Sequence, residues 1–308
     1  MTIFIQRVNT GRVLLHTIDD IVFRLFGRLI AQQFVVFGGI PAVLKRGAKL
    51  RARGITPTYN RIDEHVREYM HTKDVCASYS ALVLAMDRTN CGNVAIKPSA
   101  FGMERGIAVF EETLSAFIDA VSGHKLEIEI DAEDRETLTA VQETLKRFHA
   151  SLPRGITFRP AFQMHLPQTL RAELINVHRI IDMPLRIVKG SGLYNVGSEE
   201  AKEDEVLANY VETFLQQVSD GRHPNVATVR DRRLLEVITG VAAAHMIAPQ
   251  EFNLQFLGGP FGRSLARTYV DRGYRVGCYV PFVDPAQPDE WKGYVKRRIA
   301  FGRKLVFG

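Results

Sequence analysis

Residues 126–163 begin with Leu126-Glu-Ile-Glu-Ile-Asp131, pass through the segment Asp134–Phe148, and end on Ile156-Thr-Phe-Arg-Pro-Ala-Phe-Gln163. Two short apolar runs flank a long amphipathic segment, which predicts a strand, a helix and a second strand. Strands separated by a helix pair in parallel through a crossover, so this unit belongs to a parallel sheet.

The same rhythm extends in both directions. Candidate strands fall at Gly54–Tyr59, Asn93–Lys97, Leu126–Asp131, Ile156–Gln163, Leu185–Gly190, Asn225–Thr228, Phe252–Leu257 and Tyr274–Val280. Helix-like stretches follow, among them Glu199–Val218, Asp231–His245 and the basic Asp289–Ala300. Eight such units predict an α/β fold of the (β/α)8 TIM-barrel type, and 308 residues suit one barrel of about 250 residues with an extension. An open doubly wound sheet is the competing arrangement. Before residue 54 the apolar positions Val13, Leu14, Ile18, Ile21, Val22, Leu25, Leu29 and Ile30 recur at helical spacing. The expected organisation is therefore a helical extension over 1–53 and a barrel over 54–308. Barrel enzymes hold their chemistry where strands end, which singles out Lys97, Asp131, Gln163, Lys189, Thr228, Gln255 and Tyr279.

Composition narrows the function classes. Hydrophobic residues are 46% and charged residues 24%, ordinary for a globular chain with a large core. The net charge of +6 is concentrated: residues 1–60 carry nine Lys or Arg against Asp19 and Asp20, and the remainder is slightly acidic. A nucleic-acid surface is not indicated, since the basic excess belongs to one segment; anionic lipid or acidic parts of the barrel are its expected partners. Cys76, Cys91 and Cys278 form no CxxC, and no HxH or HExxH occurs, so neither a disulfide framework nor a metal is expected. The apolar stretch Ile21–Val43 is broken by Arg24, Arg28, Gln32 and Gln33 and is not expected to span a membrane. A cytoplasmic location is the expectation, with peripheral contact at the inner face of the membrane as an extension of it. Gly258-Gly-Pro-Phe-Gly262 reads as a phosphate cradle or, more simply, a tight loop, and His245 as a packed helix residue.

Segments at the strand ends resemble the proline dehydrogenase family, in order along the barrel. They are Ala95-Ile-Lys-Pro-Ser-Ala-Phe-Gly102, Ile130-Asp-Ala-Glu133, Gln163-Met-His-Leu-Pro-Gln-Thr169 and Leu185-Arg-Ile-Val-Lys-Gly190. Val226-Ala-Thr228, Glu251-Phe252, Tyr279-Val-Pro-Phe282 and Tyr294-Val-Lys-Arg-Arg-Ile299 complete the series. The resemblance implies noncovalent FAD at the barrel mouth, oxidation of proline to pyrroline-5-carboxylate by hydride transfer, and a quinone or other acceptor for the electrons. It implies flavin contacts from Arg186, Val188, Lys189, Gly190 and Ser191, with Gln163, Thr228 and Arg230 beside them. Arg297 and Arg298 are implied to grip the substrate carboxylate, with Lys97, Asp131, Tyr279 and Tyr294 completing the site, and Gln255 and Gly192 lining the substrate pocket.

The residue types suit those roles. A guanidinium matches a carboxylate with a planar fork of donors. The simpler account of Arg297 and Arg298 is a solvated basic helix end with Lys292, Lys296, Arg303 and Lys304. Lys97 and Asp131 are expected to pair with each other or with an arginine, or to form only a structural ion pair. The chain departs from the family at Val229 and Arg230, at Asn253, at Gln255 in place of a leucine, and at Ser191-Gly192. An unpaired Gln255 amide against an apolar ring costs roughly 1–3 kcal/mol, which leads to the expectation of a substrate hydroxyl or amide to match it. A specialised amine oxidoreductase, and a catalytically silent barrel that binds an amino acid or a partner, are the alternatives.

Overall fold

The computed structural model describes residues 23, 26–63, 69–86, 92–133, 135–166, 171–174, 183–190, 203–229, 231–287 and 289–296. Eight strands close into one parallel barrel: β1 Ile55–Arg61, β2 Asn93–Ile96, β3 Leu126–Ile130, β4 Ile156–Gln163, β5 Arg186–Val188, β6 Asn225–Val229, β7 Asn253–Leu257 and β8 Arg275–Phe282. The closed barrel excludes the open sheet. Closure is made by β1 and β8, which pair from Ile55–Val276 to Arg61–Phe282.

A parallel barrel buries both faces of every strand, and here the two faces differ in chemistry. On β3, Leu126, Ile128 and Ile130 pack into the apolar core between the strands and the surrounding helices. Glu127, Glu129 and Asp131 alternate with them and face the interior, where Glu127 meets Arg159 of the neighbouring β4 and the other two meet side chains of β7 and β8. The outer core is built by helices with matching stripes. Phe110, Leu114, Phe117 and Ile118 are the buried face of Ile107–Ala120, and Leu234, Leu235, Ile238 and Ala242 that of Arg232–Ala244. The latter helix starts where the Asp231 carboxylate accepts a hydrogen bond from the Leu234 N–H at 3.0 Å, occupying one of the free amides of its first turn.

Ahead of β1 the chain is helical over 26–34 and again over Gly39–Arg51. Val36 lies beside Phe282 in a single parallel bridge, and Ala31, Val35, Trp291 and Tyr294 form a second small core over this edge. The loop at Gly258–Gly259 is filled by protein: a Cβ on Gly259 would meet the Phe34 ring at 2.5 Å. The tight-loop reading holds there. His245 is corrected: it caps the end of Arg232–Ala244 and is exposed, because the buried stripe of that helix ends at Ala242. Among the described residues no helix is long and apolar enough to cross a membrane, and no group of His, Cys, Asp or Glu is placed to hold a metal ion.

Candidate active site at the barrel mouth

One layer of the interior is a ring of hydrogen bonds between the odd strands, closed by one ion pair. Thr58 of β1 donates to Glu129 Oε1 at 3.1 Å, and Gln255 Nε2 of β7 donates to the same oxygen at 2.6 Å. Gln255 Nε2 also lies 3.2 Å from Thr58 Oγ1, while its Oε1 accepts from Arg186 Nε of β5 at 2.6 Å. Arg186 Nε stands 3.1 Å from Glu129 Oε2, which closes the ring. Asn225 of β6 adds a third donor to Glu129 Oε1 at 3.1 Å. Four side chains from alternate strands are the usual content of a barrel layer, but apolar residues usually fill it. Here every buried polar member finds a partner in the ring, which is the condition for burying such groups at all.

Above this ring Arg186 reaches the mouth. Its Nη1 pairs with Asp131 Oδ1 at 2.6 Å, and Asp131 Oδ2 accepts from the Tyr279 hydroxyl at 2.7 Å. The guanidinium carbon lies 4.8 Å from the centre of the Tyr279 ring, so the phenol both covers the cation and holds its counter-ion. Burial works to lower the Arg186 pKa, but Asp131 and Glu129 outweigh it and raise it further. Burial, followed by the Asp131 charge, pushes the Tyr279 phenol well above its usual range. Burial also lifts Glu129 to about 7, against the pull of Arg186. Arg186 and Tyr279 are therefore locked in their protonated forms, and Glu129 is the titrating member.

Lys97, buried at the end of β2, donates to the Asp63 carbonyl at 3.1 Å. Asp131 takes its charge partner from Arg186, the second of the arrangements expected from sequence. Asp63 itself is paired with Arg61 at 2.7 Å and with His71 at 3.2 Å, and Arg61 reaches Asp284 at 3.1 Å. Burial raises the Asp63 pKa, and Arg61 and His71 oppose it. Glu133, its pKa likewise raised by burial, is held by the Ser99 N–H and hydroxyl at 2.7 Å each.

Two buried oxygens flank the end of β5. Gln163 Nε2 donates to the Ala132 carbonyl, but its Oε1 has no hydrogen-bond partner among the described residues. The same holds for Thr228 Oγ1, which sits in the register shift between Ala227 and Val229 where β6 meets β7. Between them, Gly190 follows Lys189 at φ +77°, and a Cβ there would stand 1.8 Å from the His165 ring nitrogen. Only glycine fits that turn.

The structure thus brings Lys97, Asp131, Gln163, Arg186, Val188, Lys189, Gly190, Thr228, Gln255 and Tyr279 to the interior and mouth. Gln255 and Tyr279 lie within β7 and β8 rather than at their ends, since β8 runs on to Phe282. Tyr294 is buried in the small core at the edge. Ser191, Gly192, Arg230, Arg297 and Arg298 lie outside the described residues. Contrary to the expectation from sequence, the Gln255 amide is fully used within the ring and creates no demand for a matching group on a substrate. Sequence reasoning missed Glu129 and Thr58. The alternation Leu126-Glu-Ile-Glu-Ile-Asp131 in a strand buried on both faces was the available signal.

No family model matches the chain. A proline dehydrogenase of Deinococcus radiodurans is 32% identical over 116 residues, 38% of this chain and 35% of the relative. Proline utilization A from Bdellovibrio bacteriovorus, solved after inactivation by N-propargylglycine, superposes with a TM-score of 0.72 over 87% of this chain and 32% of its own, at 18% identity. The protein of the same name from Corynebacterium freiburgense gives 0.70 over 92% of this chain and 33% of its own, at 16% identity. The chain spans about a third of the length of each of these relatives. The solved structures show the barrel fold, and the sequence match is a resemblance to a proline dehydrogenase over 116 residues of this chain.

Proposed function

We propose that this barrel is a flavin-dependent dehydrogenase that oxidises L-proline, or a related cyclic or secondary amino acid, at the ring carbon next to nitrogen. The product is pyrroline-5-carboxylate or the corresponding imine. The observation that carries the reading is the Arg186–Asp131–Tyr279 cluster at the barrel mouth, beside two buried oxygens that the described residues leave without partners.

The residues present fit a flavin. Gln163 Oε1 and Thr228 Oγ1 offer buried hydrogen-bonding capacity on either side of the β5 end. Gly190 turns the backbone at φ +77° just past β5, and Arg186 and Lys189 supply positive charge. Val188 contributes the wall between them, with Ser191 and Arg230 assigned to the same set. Bound there, FAD supplies a two-electron acceptor for hydride.

The chain's own residues do the rest. Arg297 and Arg298 bind the substrate carboxylate and fix which face of the ring is presented. Lys97, buried and cationic, disfavours a second positive charge and so keeps the amine neutral, the form from which hydride leaves readily. Tyr279 and Asp131 hold Arg186 in place, while Tyr294 and Gly192 complete the pocket and Gln255 supports it from the ring below. Electrons then pass to a quinone or another acceptor.

The basic segment 1–60 supports peripheral contact with anionic lipid at the cytoplasmic face. Leu29 and Phe26 are exposed on the helix over 26–34, beside Arg28. Failure to pellet with anionic liposomes at low salt removes this part of the reading.

The main test is the visible absorbance spectrum of the purified protein, followed by anaerobic L-proline. A flavin band that bleaches supports the reading. A flavin band that proline leaves unchanged moves the substrate to another amine, and no flavin after added FAD rejects the reading.

A further inference from the structure

The Arg186 guanidinium meets two carboxylates, and only one of them, Asp131, lies at the mouth. The other, Glu129, is 0% exposed and lies in the ring beneath. Its Oε1 accepts from Thr58, Asn225 and Gln255, and its Oε2 faces Arg186 Nε. Three donors converging on one oxygen and a cation on the other favour the ionised carboxylate, against the burial that lifts its pKa to about 7. Gln255 is oriented by the same arrangement: its amide nitrogen gives to Glu129 and its carbonyl takes the Arg186 Nε–H. Arg186 is thus fixed twice from below, once directly and once through Gln255.

From this geometry we infer that Glu129 is a positioning residue that aims Arg186 at the mouth and offsets part of its charge, lowering the reduction potential of the flavin held there. This rests on the flavin-dependent reading above. An Arg186 cation with less negative charge behind it favours the reduced, more anionic flavin. The ring therefore sets the electron affinity of a cofactor that none of its lower members touches.

The test compares the parent chain with Glu129→Gln and Thr58→Val, each reconstituted with FAD, by FAD titration and by redox titration against a reference dye. Glu129→Gln keeps the shape and removes the charge. It is expected to raise the ratio of reduced to oxidised flavin affinity about tenfold, a positive shift of about 30 mV for a two-electron couple. Thr58→Val, nearly isosteric, removes one donor that favours the ionised Glu129, so more of it is protonated and the potential shifts in the same direction by less. Should Glu129→Gln fail to fold, Thr58→Val decides alone. Parent and variants with the same potential overturn this inference and leave the flavin reading intact. A parent chain that takes up no FAD overturns both.

Discussion

Arg186 Nη1 and Asp131 Oδ1 lie 2.6 Å apart, joining β5 to β3 across the mouth of the barrel. The Tyr279 hydroxyl completes the arrangement from β8. Asp131→Asn would place an amide donor against either Arg186 or Tyr279, both of which are already donors. If the proposed function holds, kcat/KM for proline is expected to fall by about tenfold or more, since one charge-assisted contact of about 1.5–3 kcal/mol is lost. Steady-state kinetics on the FAD-loaded variant, with circular dichroism to show the barrel intact, checks this.

Tyr279→Phe separates the ring from its hydroxyl. The aromatic cover over Arg186 remains, and only the hydrogen bond to Asp131 goes. A loss of about 1 kcal/mol in folding stability is expected, with a larger loss for Tyr279→Ala. Equal losses in urea denaturation of the two variants would show that the ring contributes nothing.

Glu129 makes stability depend on pH. Its folded-state pKa is raised to about 7, above its ordinary value of 4.5. Its contribution is present in full below that ordinary value and declines as pH rises through about 7. Unfolding free energy across this window should fall less steeply in Glu129→Gln than in the parent, and parallel curves would refute the assignment.

Tyr79 ties the outer face of β1 to β2. Its buried hydroxyl donates to the Ala95 carbonyl at 2.6 Å and accepts from the Arg61 N–H at 2.8 Å. Phenylalanine there strands the Arg61 amide, at an expected cost of about 1–3 kcal/mol. Equilibrium denaturation measures it.

Gly190→Ala is expected to be more damaging than its size suggests. The added methyl would need a left-handed backbone at φ +77° and the space already taken by the His165 ring. FAD affinity should drop along with thermal stability, because the turn that would move is the one following β5. Unchanged FAD affinity in a folded variant would place the cofactor elsewhere.

Much of the barrel was legible in the sequence because parallel strands and amphipathic helices have different periods. All eight expected strands are present, with ends shifted by a few residues, as at β8, which continues through Pro281-Phe282. The mouth residues Lys97, Asp131, Gln163, Lys189 and Thr228 could be found because strands end where the chain turns polar. The ring was harder to see. Thr58, Glu129 and Gln255 are each ordinary in their own strand, and they acquire meaning only once the barrel closes and brings β1, β3 and β7 together. Gln255 illustrates the error that follows: taken alone it seemed to need a partner from the substrate, whereas the partners were residues far away in sequence. His245 differs for a local reason, since the helix ends at Ala244 and its last buried position is Ala242.

The pairing of β1 with β8 also governs how the molecule must assemble. These two strands come from opposite ends of the barrel's sequence, so the last strand to leave the ribosome completes the contact made by the first. Such distant pairing slows folding. Until β8 arrives, β1 presents an unpaired edge, and the carboxylates of β3 lack Tyr279 at the mouth. A chain cut before β8 lacks the partner of β1 and is expected to be captured by chaperones or to aggregate rather than persist as a smaller barrel.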